Sequence, residues 1–170
     1  MLIAAGVVQA IIRLLRLGRI RSSSAILSLI STVLANLARF PGVTEVLGRC
    51  GGIAVLLRTL QELGVSKRVS PCGMEAWMVD YFCGVLSKVL ATAIRTEPPV
   101  LAWVAEIEAA FGPESAPCSG PCTARKTNTG AQLLMRYGPG SCHANEKAEK
   151  GVKALIAALQ AVRYMVSETS

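Results

Sequence analysis

Gly6–Leu15 reads GVVQAIIRLL, and Gly51–Leu60, beginning 45 residues later, reads GGIAVLLRTL. Both open on Gly, carry an apolar third position and an apolar pair, and then run Arg, a free position and Leu. In the first copy Val7, Val8, Ile11, Ile12, Leu14 and Leu15 fall on one face at the 3.6-residue helical period, with Arg13 and Arg16 projecting outward. A helical segment returning at a period of about 20 to 50 residues is the mark of stacked repeats, in which each unit buries its apolar face only against its neighbours. The chain is therefore expected to be all-α.

The same period places the other elements. Ser22, Ser23 and Ser24 offer N-caps for a helix running to about Ala38. Pro41-Gly42 punctuates the chain before a short amphipathic piece, Val43 to Arg49, which Gly51 and Gly52 end, and Ile53 to Leu63 follows. GVSKRVSPCG at 64–73 is a loop, with Ser70 and Pro71 as cap and first-turn proline of a long apolar helix from Met74 to about Ile94. Thr96, Glu97, Pro98 and Pro99 then break the chain and start Val100 to Phe111. Gly112 to Lys150 holds five Gly and four Pro, so a long irregular loop is expected, at its core about 112–144. The last helix runs from near Asn145 to about Val166, with Val152, Leu155, Ile156, Leu159 and Val162 in period. No alternating strand pattern bounded by hairpin signals occurs.

On these residues the chain resembles the armadillo repeat family. Gly6–Leu15 and Gly51–Leu60 look like the second helix of a unit, with Val8 and Ala54 in place of the family's proline. Val33 to Ala38 (VLANLA) looks like the end of a third helix, with Asn36 on the family's asparagine. Val85 to Ala91 (VLSKVLA) and Ala158 to Val162 (ALQAV) look like the next two, with Lys88 and Ala161 at that position. The tryptophan that often precedes the asparagine by four is Thr32, Gly84 and Ala157.

The resemblance implies one domain of three units, about 1–40, 41–95 and 96–167, forming a short right-handed α-solenoid with the 112–144 loop inserted in the last. It also implies that the third helices line a concave groove. Their inner stripes would be Ser24, Ser28, Thr32 and Asn36; then Asp80, Gly84, Lys88 and Thr92; then Lys153, Ala157 and Ala161. The expected partner-binding residues are thus Ser28, Thr32, Asn36, Asp80, Lys88 and Lys153. The function implied is a non-catalytic scaffold holding an extended, acidic segment of a protein partner. A solvated helix face is the plain alternative for the same stripes. Because the first unit opens on a bare apolar helix, its end is expected to be covered by further repeats, a partner or a second copy.

Composition narrows the classes of function. With 52% apolar and 17% charged residues and a mean hydropathy of +0.46, disorder of the whole chain is excluded. The net charge is +7, and residues 1–44 hold Arg13, Arg16, Arg19, Arg21 and Arg39 with no acid. An acid-free, Arg-bearing, Ser-containing amphipathic start also fits a mitochondrial transit peptide. A mitochondrially targeted or membrane-associated helical protein is therefore the alternative to a cytoplasmic module. The longest uncharged apolar stretch, Ser22 to Ala38, stands at the lower limit of a membrane span, but its polar residues recur at helical spacing and favour a buried helix. A pI near 9.4 suits nucleic acid. Against it, the Arg cluster sits at one helix and its turn, with no aromatic stacking platform.

No catalytic set is legible, and no cofactor is expected. There is no phosphate loop, HExxH or GxSxG, and the chain has one His and one Asp. Glu106 and Glu108, two apart on a helix, face different ways. Adjacent Cys142 and His143 cannot act as a nucleophile–base pair, which meets from separate elements. Of six cysteines, Cys50 and Cys83 lie in apolar helical patterns and read as buried free thiols. Cys118, Cys122, Cys142 and His143 share one loop, but neighbours such as Cys142 and His143 rarely reach one zinc ion together.

Overall fold

The computed structural model describes residues 2–21, 23–40, 42–65, 74–93, 99–111, 128–142 and 144–168. Among them lie nine helices and no strand. They are α1 (Leu2–Arg16), α2 (Gly18–Arg21), α3 (Ser24–Leu37), α4 (Val43–Arg49), α5 (Gly52–Val65), α6 (Met74–Ala93), α7 (Pro99–Phe111), α8 (Thr129–Tyr137) and α9 (Glu146–Glu168). All but α2 and α8 stand within a few residues of the positions that apolar periodicity assigns them. The cap residues Ser22 and Ser70, and the proline Pro71, lie outside the described residues. Ser23 takes the N-cap of α3 with extended backbone, and its carbonyl accepts from Leu27 N–H at 2.9 Å, but its hydroxyl does not cap. Gly42 and Gly51 both hold positive φ, 84° and 69°, which is what lets the chain enter α4 and then pass from α4 into α5 within a few residues.

Gly18 opens the short α2, whose Ile20 packs on the core. One expectation needs correction: the stretch expected to be an irregular loop over 112–144 contains α8. Asn128 caps it by accepting from Gly130 N–H at 2.8 Å, and Leu133 and Tyr137, four apart, are both buried. The Gly and Pro content of the surrounding segment masks one apolar helical turn and a half. Residues 112–127 lie outside the described residues.

The helices pack as two rows. α3, α6 and α9 lie side by side with α6 in the middle, and α1, α5 and α7 form a second row with α5 in the middle. Across the rows α1 packs on α3, α5 on α6 and α7 on α9, while α8 rests on α5, α7 and α9. The core runs between the rows, and α6 is its axis: Met78, Val79, Phe82, Cys83, Val85, Leu86, Val89 and Leu90 are all buried. A helix flanked on both sides must be apolar around most of its girth, which is why α6 reads as a nearly continuous apolar run.

One ion pair ties α8 to this axis. Arg136 Nη2 lies 2.9 Å from Glu75 Oε2, with side chains only 11% and 8% exposed, and the Arg136 guanidinium also sits 5.5 Å from the centre of the Tyr137 ring. Taking one charge from a buried pair costs far more than replacing both with apolar groups. Glu75→Ala is expected to destabilise the chain by about 3 kcal/mol, whereas Glu75→Leu combined with Arg136→Met costs clearly less than the two single changes added together. Urea unfolding of Glu75→Ala, of the two single changes and of the double variant checks both statements.

Candidate functional site

The carboxy-terminal half of α3 and the length of α6 lie side by side and run in the same sense. Between them is a narrow depression of about 280 Å³, bounded by Thr32, Ala35, Asn36 and Arg39 on one side and Asp80, Tyr81, Gly84, Val85 and Lys88 on the other. It continues into a wider one of about 570 Å³, where Ala38, Arg39, Phe40, Gly42 and Thr44 face Lys88, Ala91 and Thr92. Arg39 and Lys88 border both, so the two cations stand at the junction of one cleft.

Local structure explains the lining. Beyond the end of α3 the chain tightens, with Arg39 N–H on Asn36 O at 3.2 Å and Phe40 N–H on Leu37 O at 3.0 Å. Arg39 is thereby held beside the helix C-terminus, whose carbonyls favour a cation. Thr92 donates to Lys88 O at 2.9 Å and Thr44 closes on the Thr92 hydroxyl at 3.0 Å, joining α4 to α6 at the wide end. At the floor, nothing lies within 4 Å of where a side chain on Gly84 would begin, so the α6 backbone is open to the cleft.

The charges in the cleft are uncommitted. Elsewhere five glutamates are taken up by ion pairs: Glu45 with Arg49, Glu62 with Arg21 and Arg58, Glu75 with Arg136, Glu108 with Arg163 and Glu149 with Lys153. Among the described residues, the side chains of Asn36, Arg39, Asp80 and Lys88 make no hydrogen bond or ion pair. Burial pushes the Asp80 carboxyl above its ordinary range, against the opposing pull of Lys147 and Lys150 on α9. Lys147 itself lies 3.5 Å over the Trp77 ring, and Trp77 meets Tyr81 edge-on at 6.2 Å. The cleft therefore offers an amide, two cations, a carboxylate and hydroxyls over an apolar, partly glycine floor.

Of the six residues expected to line a groove, the cleft brings together Thr32, Asn36, Asp80 and Lys88. Ser28 lies outside it, its carbonyl accepting the hydroxyls of Ser31 and Thr32 at 2.8 and 3.0 Å. Lys153 is also outside, paired with Glu149 on its own helix at 2.5 Å. Arg39, Phe40 and Tyr81 were missed. Stepping by four from Ser28 lands on Asn36 and stops, because α3 ends at Leu37 and Arg39 and Phe40 lie in the turn beyond it.

The basic amino-terminal cluster divides. Arg21, 9% exposed, donates to Glu62 at 2.8 Å and to Leu15 O at 2.6 Å, while Arg16 donates to Cys50 O at 2.8 Å. Those two guanidiniums hold α1 and α2 to α4 and α5; Arg13 and Arg19 remain exposed. Among the described residues no helix is long and apolar enough to cross a membrane, and no three His, Cys, Asp or Glu side chains gather as a metal site. Cys118, Cys122 and His143 lie outside the described residues. Cys83 is buried and Cys50 half-buried, and burial raises both thiols above their ordinary range.

No protein-family model matches the chain, and neither a curated protein nor a solved structure matches it.

The raised Asp80 carboxyl has a sign that can be measured. A carboxyl that ionises less readily in the folded chain than in the unfolded one makes stability fall as pH rises from its unfolded pKa, about 3.9, through its folded one. Asp80→Asn should therefore be more stable than the parent at neutral pH, with the difference closing as pH falls below about 4. Thermal melts of the two proteins across that range read it directly.

Proposed function

We propose that this chain is a non-catalytic interaction module that holds an extended segment of a protein partner in the cleft between α3 and α6. The observation that carries the reading is a cleft in which the side chains of Asn36, Arg39, Asp80 and Lys88 are unspent within the protein, over a glycine floor that a ligand backbone can approach. Asn36, Arg39 and Lys88 are exposed to water in the free chain, so an extended segment can take up their hydrogen-bonding capacity with its own backbone N–H and C=O groups and side chains without first breaking bonds inside the protein.

In this reading the two rows of helices are a short right-handed solenoid of armadillo type. α1 and α3 form one unit, α4 to α6 the next, and α7 and α9 the last, with α8 inserted in its long connection. The side-by-side packing of α3, α6 and α9 and of α1, α5 and α7 supports it, as do the two Gly-initiated segments in α1 and at the start of α5. Val7, Leu14 and Leu17 on the first turn of the array, with Ile26 and Leu29 on α3, are exposed and suit contact with a further copy or partner.

Gly84 supplies the test, because a Cβ there meets no protein atom within 4 Å and the rest of the side chain extends into the cleft. Gly84→Leu is expected to fold, to gain about 1 kcal/mol from helix propensity and to raise the melting temperature by about 2 to 4 °C. Peptides selected from a random displayed library on the parent chain should then fail to bind the variant. Recovery of no binding peptide, or equal binding to both proteins, would overturn the reading.

A further inference from the structure

We infer that the segment held in this cleft carries an acidic side chain seated between Arg39 and Lys88, with an apolar side chain two residues away, on the same face of the extended segment, lying over Ala91 beside Phe40. The inference rests on the cleft being a peptide groove, and it adds the chemistry and the position of the anchor.

Position comes first. Arg39 and Lys88 are the residues common to the narrow and wide depressions, one contributed by the turn after α3 and the other by α6. No acid lines the wide depression, and neither cation has an ion-pair partner among the described residues. A carboxylate at the junction meets two cations, one from the turn after α3 and one from α6, which fixes it along the cleft as well as across it. Next to that point Phe40 is 60% exposed, and Ala38 and Ala91 supply an apolar wall. A free phosphate or a nucleic-acid backbone would use the cations and leave this wall bare, which is why a peptide pairing an acid with an apolar residue is the better fit.

Asp80 supplies the other half. It stands eight residues before Lys88 on the same helix, about 12 Å along the axis, a span that an extended peptide covers in about four residues. A second acid placed there would face Asp80, among the described residues the one carboxyl group that lines the cleft. The junction, lined by two cations and no acid among those residues, is therefore the better seat for the anchor than the narrow end.

The test is a titration of the full chain, isotope-labelled for NMR, with the acetylated and amidated hexapeptide Ser-Glu-Gly-Leu-Gly-Ser. Shifts are expected at Arg39, Phe40, Lys88 and Ala91. Replacing Glu by Gln in the peptide should weaken binding about fivefold, and so should Lys88→Gln or Arg39→Gln in the protein, as for one charge pair at a solvated site. All these losses should shrink in high salt. Equal affinity for the Glu and Gln peptides overturns the anchor; if Gly84→Leu still abolishes both, the groove stands without it. No shift with the hexapeptide also overturns the anchor, and the library selection on Gly84→Leu then decides the groove separately. Competition by inorganic phosphate or oligouridylate at the same concentration as the peptide overturns it as well, because the site would then read charge alone.

Discussion

A Cβ on Gly151 would stand 3.0 Å from Asp80 Cα and 2.7 Å from its Oδ1, so only a hydrogen at this point lets α9 lie against the backbone of α6. That approach closes one flank of α6, and α3 closes the other. Because α6 is covered on both flanks, its residues can be apolar nearly all round, and Phe82, Leu86 and Leu90 become inaccessible to water. The second row of helices packs on what remains. At the cleft the neighbours of α6 leave it open, where Gly84 has no side chain to fill the gap between α3 and the α6 backbone.

Helix order was readable from the sequence because amphipathic period and punctuation agree at nearly every boundary. Pro41-Gly42 and Gly51-Gly52 bracket α4, and Pro98-Pro99 precedes α7, each for the backbone reason that those residues break a helix. α8 was not readable, since Leu133 and Tyr137 are set among Gly and Pro, and its stability comes from α5, α9 and the Glu75 carboxylate rather than from local propensity. The cleft was legible in part. Thr32, Asn36, Asp80 and Lys88 lie on a stripe that a helical wheel reveals, but Arg39 and Phe40 enter through the turn beyond α3, whose geometry no periodicity encodes. Lys153 shows the opposite error: a residue on the right kind of helix, neutralised by a glutamate one turn earlier.

Charge follows the same logic of neighbours. A chain with a net +7 has more cations than it can pair internally, and the described glutamates on α4, α5, α6, α7 and α9 are largely occupied by arginines and lysines at structural joints. The arginines at the amino-terminal end illustrate how composition alone misleads: Arg16 and Arg21 belong to the packing of the first helices, whereas Arg39, counted with them in sequence, belongs to the cleft. Net charge describes the chain as a whole, and pairing decides which of its charges are available to a partner.

Cys83 sits on α6 with its thiol wholly buried and its proton held tightly by the apolar surroundings, while Cys142 is exposed near the end of α8. An alkylating reagent reaches Cys142 in the folded protein but reaches Cys83 only when α6 leaves its neighbours. The buried thiol is thus a built-in clock for opening of the central helix. Its labelling rate slows with whatever stabilises the packing of α3 and α9 against α6, a segment bound across α3 and α6 included.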